Sequence, residues 1–282
     1  MNILSIQSWV AYGHVGNASA VFPLQRLGAE VWAVNTVQFS NHTGYGGWTG
    51  DVFTGAQVGR LIDGIEARGA LGRCDAVLSG YMGDQGIGHA ILDAVGRAKR
   101  ASPGCVYCCD PVIGDDDTDV YVRAGIPEMI RARALPAADI ATPNAFELRL
   151  LTGLPTGTLD EVKRAVAALH ALGPRIVLVT SVETAETPAG SMDMVCSEAG
   201  AMHLLRTPRL DLRINGAGDA IAALFLFHRL ARGSAAAAMA EAGSSIHGVL
   251  RRTHDEGSRE ILIVAAQEEF VAPSRRFTPL PC

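Results

Sequence analysis

Short runs rich in β-branched and apolar residues alternate along this chain with alanine-rich stretches of helical length, and few folds tolerate such a pattern. Ile3–Gln7, Val31–Thr36, Ala76–Ser79, Val106–Cys109, Ile140–Ala141 and Ile176–Thr180 read as strands. Between them, the stretches near Ala18–Leu27, Thr54–Arg68, Ile87–Arg100, Val122–Ala134 and Leu159–Leu172 have the length and apolar spacing of crossover helices. This βαβ alternation predicts an α/β chain, with a central, mainly parallel β-sheet between helical layers on both faces. Asp193–Leu205 changes character, because two apolar runs there flank Ser197-Glu198-Ala199-Gly200 in the manner of a hairpin. A long helix to about Ala231, a break at Gly233-Ser234 and a second helix to about Arg252 follow. No linker or internal repeat divides these segments, so 1–282 is expected to be a single domain.

Composition narrows the classes of function. With a net charge of −5 and no basic stripe longer than Arg251-Arg252, the chain is not expected to bind nucleic acid or an anionic membrane surface. No stretch approaches the roughly 18 uncharged apolar residues of a membrane span. Met1–Gln7 reads as a first strand rather than an export leader, so a cytoplasmic protein is expected. Of six cysteines, Cys105, Cys108 and Cys109 cluster in a buried-strand pattern. Neighbouring strand residues face opposite ways and no second Cys or His pair completes a tetrahedral set, so these are read as reduced structural thiols.

Chemistry concentrates where strands end. Gly216-Ala217-Gly218-Asp219 precedes the apolar run Ala220–Phe227, joining a small-residue turn to a carboxylate at a helix start. Uncovered N–H groups and the helix dipole attract a phosphate there, with Asp219 beside it. Taken alone, Asp219 reads as a favourable first-turn charge. Other segments point the same way, however. Gln7–Asn17 mixes two glycines, two aromatics and Ser8, which suits a flat ring held by apolar contact and by a hydroxyl at its edge. Val37–Gly50 adds His42, Thr43, Gly44 and two aromatics, His42 being read as a hydrogen-bonding turn residue rather than a base. Tyr81 follows the third strand and can stack on a ring or reach a phosphate. Asp110, fixed by Pro111, and Glu147 make a water-mediated Mg²⁺ shell, an ion that needs few protein carboxylates. Asn144 and Glu147 are equally spaced for a helix cap, and both readings stay open.

Read together, Gln7–Asn17, Asn35–Tyr45, Asp110–Asp115, Thr142–Leu148 and Asn215–Asp219 resemble the motifs of the pyridoxal kinases, members of the ribokinase-like superfamily. The resemblance runs over nearly the whole chain, and its first two motifs separate the vitamin B6 branch from sugar and hydroxymethylpyrimidine kinases. It implies a ribokinase-like three-layer α/β/α sandwich, formed by a single kinase domain over 1–282. It further implies ATP-dependent phosphorylation of the 5′-hydroxymethyl of pyridoxal, with pyridoxine or pyridoxamine as further substrates. Asp219 would be the general base and the N–H groups of Gly216, Ala217 and Gly218 would stabilise the transferring phosphoryl group. The ring pocket would comprise Ser8, Val15, His42, Thr43, Gly44 and Tyr81. ATP would lie along Asp110, Thr142, Asn144, Glu147, Thr180, Ser181, Thr207, Pro208, Arg209 and Leu210, with Mg²⁺ at Asp110 and Glu147 and K⁺ as a candidate monovalent helper. A homodimer is also implied. Three departures stand out: Thr180 occupies a position that is Lys in some members, the lid Asp115-Asp116-Asp117-Thr118-Asp119 lacks a glycine, and Asp211–Ile214 is short. The alternatives are a hydroxymethylpyrimidine kinase or other ribokinase-like small-molecule kinase, and a non-catalytic B6-binding or delivery protein.

Overall fold

The computed structural model describes residues 1–282. The first half runs β1 (Asn2–Val10), α1 (Asn17–Arg26), β2 (Glu30–Phe39), β3 (Gly50–Val52), α2 (Gly55–Ala67), β4 (Ala76–Ser79), α3 (Gln85–Ala101), β5 (Val106–Cys109), β6 (Gly114–Asp115) and β7 (Asp119–Val120). Then come α4 (Ile126–Met129), α5 (Leu135–Ala137), β8 (Ile140–Ala141), α6 (Ala145–Thr152), α7 (Leu159–Leu172), β9 (Ile176–Val182), β10 (Ser191–Glu198), β11 (Ala201–Pro208), α8 (Ala217–Arg232), α9 (Ala235–Asp255), α10 (Glu268–Val271) and β12 (Leu280–Pro281).

Ten strands form one sheet in the order β12-β11-β10-β9-β8-β5-β4-β1-β2-β3, and the six from β9 to β2 are parallel. Strand alternation supplies both cores. Leu4, Val77, Tyr107, Cys109, Val177 and Val179 pack under α2, α3, α6 and α7, whereas Ile3, Ala76, Leu78, Cys108, Ile176 and Leu178 pack under α1, α8 and α9. The three-layer α/β/α sandwich is therefore present, and Cys108 and Cys109 point to opposite faces. All six cysteines are free thiols, and only Cys282 is exposed. No helix is long and apolar enough to cross a membrane.

Several boundaries differ from the sequence reading. β1 continues to Val10 and β2 to Phe39, so Ser8 and the Val37–Phe39 segment lie in strands rather than in the loops after them. Pairing with the short antiparallel β3 prolongs β2. The helix expected over Val122–Ala134 starts only at Ile126 and passes through a π turn, Ile130–Ala134, into α5. Its start is set by Pro127, which suits a first turn, while Tyr121 is still tied by its N–H to the Ile113 carbonyl at 3.1 Å. The β6–β7 flap and the edge strand β12 have no signal in the sequence, since strands of two residues carry no periodicity.

Chain direction locates the working end. From β1 the chain moves to β2 on one side and then returns to β4 on the other, so a crevice opens at the carboxyl end of β1.

Candidate active site

At that crevice α8 begins without a capping side chain. Gly216 adopts φ 87°, and any β-carbon there would run into the His14 carbonyl. The Ser19 hydroxyl donates to the Gly216 carbonyl at 2.7 Å, pinning the turn to α1. Without a capping side chain, first-turn N–H groups stay available to an anion. Asp219 is the third residue of the helix, partly accessible yet crowded by protein, as at the floor of a cleft. Burial pushes its carboxyl up to about 6, against the opposing pull of the N–H groups of Gly16 and of Asp219 itself.

Two more carboxylates share this floor. Asp110, just past β5, is buried and accepts the Thr142 hydroxyl at 2.8 Å. Burial first, then Glu147 and Asp219, hold its carboxyl well above the usual range. Glu147 closes a capping box on α6: its Oε2 accepts the Asn144 N–H and the Asn144 Oδ1 accepts the Glu147 N–H. Its Oε1 accepts the N–H groups of Ile113 at 2.9 Å and Gly114 at 3.5 Å. The cap is therefore real, and it also binds the flap to α6. Burial nonetheless raises Glu147 to about 8. None of the three forms an ion pair with Lys or Arg, so no cation of the chain offsets the repulsion that Glu147 and Asp219 exert on Asp110.

Of the expected ring-pocket residues, two share a packed cluster. Val15 and Tyr81 pack against a small apolar cluster of Val10, Val37 and Phe39. Ser8 is buried beside it, with Gly16 tight against its hydroxyl. Thr43 and Gly44 lie in a single 3₁₀ turn, Thr43–Tyr45, whose start is capped by His42 Nδ1 accepting the Gly44 N–H at 3.2 Å. Burial lowers the His42 pKa, against Glu260 and Asp115, so this ring is neutral and hydrogen-bonding.

Of the residues expected along ATP, the Asn144 amide donates to the Gly114 carbonyl at 2.8 Å, and Thr180 N–H donates to the Pro143 carbonyl at 3.0 Å. Ser181 stands exposed at the end of β9. Thr207 is buried in β11 and its hydroxyl donates to the Met192 carbonyl at 3.4 Å. Pro208 and Leu210 are partly buried, while Arg209 pairs at the surface with Glu183 at 2.7 Å. A separate cavity of about 740 Å³ opens at the opposite end of the sheet, between Asp139, His170, Arg175, Glu198 and Arg229. Its charges are paired with one another, so it presents no polar group lacking a partner.

Sequence reasoning missed two contributors. Tyr121, half exposed at the end of the flap, has its hydroxyl pKa raised by burial and then by the charges of Glu147, Asp219, Asp115 and Asp110. Glu260 reaches the site from beyond α9, with no local motif to mark it.

The family model for phosphomethylpyrimidine kinase matches residues 64–262. Pyridoxal kinase PdxY of Granulibacter bethesdensis is 62% identical, with 100% of both chains covered. The chain belongs to the pyridoxal kinase family. Among pyridoxal kinases, PdxY of Deinococcus radiodurans is 54% identical over 98% of this chain and 95% of its own. The pyridoxal kinase of Leishmania donovani, solved with ADP and pyridoxamine, superposes with a TM-score of 0.91 at 29% identity, covering 100% of this chain and 99% of that one. The ribokinase-like fold of pyridoxal kinases is thus the fold of this chain.

Proposed function

We propose that the protein transfers the γ-phosphoryl group of ATP to the 5′-hydroxymethyl of pyridoxal, giving pyridoxal 5′-phosphate in vitamin B6 salvage. The observation that carries this reading is Asp219, a carboxylate raised to about 6 at an uncapped helix start, close to Gly16 on one side and within reach of Asp110 on the other. A base of that pKa takes the hydroxymethyl proton as the oxygen attacks. The N–H groups at Gly216, Ala217 and Gly218 meet the charge on the transferring group. Ser8, Val15, His42, Thr43, Gly44 and Tyr81 orient the ring so that the alcohol lies in line. Thr142, Asn144, Thr180, Ser181, Thr207, Pro208, Arg209 and Leu210 border the nucleotide.

Asp110, Glu147 and Asp219 do not converge as a direct three-carboxylate cluster, so Mg²⁺, which keeps several waters and needs few protein carboxylates, would be held largely through water. Asp110 has an oxygen to spare, whereas both Glu147 oxygens accept backbone N–H groups, so Glu147 would act through water. When bound, Mg²⁺ neutralises phosphate charge as it develops. A cytoplasmic homodimer, with K⁺ as a monovalent helper, completes the proposal.

The test is Mg·ATP-dependent phosphorylation of pyridoxal, pyridoxine, pyridoxamine and hydroxymethylpyrimidine side by side. Preference for pyridoxal supports the reading, and preference for hydroxymethylpyrimidine moves the site to the related branch. Binding without turnover of any of the four would make it a carrier.

A further inference from the structure

Tyr45, Asn215 and Glu260 come from distant parts of the chain and meet at the mouth of the cleft. The Tyr45 hydroxyl donates to Glu260 Oε1, and Asn215 stands beside Tyr45. Tyr45 and Asn215 also line one cavity of about 510 Å³. Glu260 is firmly seated. Its N–H donates to Ser258 Oγ at 3.1 Å, that hydroxyl donates to the Glu260 carbonyl at 2.7 Å, and the neighbouring Ile261 is buried. On its other side the carboxylate packs against Gly13, at φ 89°, where any side chain would strike it. One carboxylate therefore touches the loop after β1 and the loop after β2, and through Tyr45 it reaches the residue before Gly216.

We propose that Glu260 is a positioning residue that locks the two ring-pocket loops to the glycine turn through Tyr45 and Asn215. Its catalytic consequence rests on the kinase reading given above. In-line transfer needs the alcohol and the phosphoryl group held in fixed relation, yet the alcohol side is built on loops, which are mobile by default. A hydrogen bond to a carboxylate is strong enough to hold such a loop. Burial and Glu260 push the Tyr45 hydroxyl up to about 12, so it remains a donor at neutral pH.

Tyr45→Phe, Glu260→Ala, Glu260→Gln and the Tyr45→Phe/Glu260→Ala pair test the lock. Tyr45→Phe and Glu260→Ala should each lower kcat/KM about tenfold, as expected for losing a hydrogen bond to a charge. The loss should appear as a higher KM for the alcohol, with KM for Mg·ATP changed by less than about twofold. The double variant should be no worse than Glu260→Ala, and Glu260→Gln, which still accepts, should recover most of the activity. Additive losses, or a Gln variant no better than Ala, overturn the lock.

Chymotryptic cleavage within residues 43–49 gives a readout independent of turnover, mapped by mass spectrometry alongside thermal unfolding. Cleavage should be faster in Glu260→Ala at unchanged Tm; should that variant not fold, Tyr45→Phe serves instead. Faster cleavage in a protein that phosphorylates no vitamer would keep the lock and remove the kinase reading. Unchanged cleavage in an active enzyme would do the reverse.

Discussion

The two ends of the parallel sheet treat partly or fully buried carboxylates in opposite ways. At the amino end, Asp139 is paired with Lys99 at 2.7 Å and Arg175 at 3.0 Å, and Glu198 is gripped by Arg229 at 2.5 Å while also accepting the Ala235 N–H. At the carboxyl end, Asp110, Glu147 and Asp219 crowd together with hydroxyl and N–H donors but no cationic side chain. The first arrangement is satisfied by the fold. The second disfavours charge, because burial works against all three carboxylates and neighbouring carboxylates add repulsion at Asp110, and groups perturbed in this way point to a site rather than a scaffold.

The sharpest way to break this contrast is Asp219→Ala. It should lower kcat by roughly 10² to 10⁴ with little change in KM, the range for losing general-base catalysis. Steady-state kinetics on pyridoxal check it, and an unchanged kcat would return Asp219 to an ordinary first-turn charge.

Acidity should separate the two ends next. Asp219 works only as the carboxylate, and its pKa is about 6. In a pH profile, kcat/KM should therefore be level above pH 6 and fall about tenfold per unit below it. A profile flat down to pH 5 would contradict the assignment.

Arg229→Ala probes the satisfied end. Stripping a half-buried pair should cost about 1–2 kcal/mol, seen as a Tm lower by about 2–4 °C per kcal/mol, with kcat unchanged. A loss of kcat without loss of stability would mean the ends are coupled.

The smallest effect is opposite in sign. Because folding raises the Asp219 pKa above its ordinary 3.8, the folded state loses stability as pH climbs between 3.8 and about 6. Asp219→Asn should then be more stable than the natural protein by about 1–2 kcal/mol above pH 6, with the gain vanishing below pH 4. Thermal unfolding at pH 4 and pH 7.5 measures the difference, and a destabilised variant at pH 7.5 would remove the cost of burying the Asp219 charge from the account.

How much of this was legible follows from distance along the chain. The alternation from Ile3 to Thr180 announced the layers because period and length are local properties. Gly216–Asp219 was legible for the same reason, since turn, helix start and carboxylate adjoin. Ser8 and Phe39 read as loop residues because a strand's end depends on which neighbour pairs with it, here β3 for Phe39 and the prolonged β2 for the end of β1. Glu147 stood between cap and site until Ile113 and Gly114 were seen to donate to it from the flap. Tyr121 and Glu260 gave no signal, being single residues without a pattern.

The sequence by itself determined the α/β layering, the anion-binding turn with its carboxylate and the family to which these motifs point, all of them carried by residues close together in the chain. Only the tertiary structure decided that Asp110, Glu147 and Asp219 share one floor without a cation, and that Glu260 closes on Tyr45 across 215 positions. Desolvation and like-charge repulsion depend on separation in space, and a linear sequence holds no direct record of that.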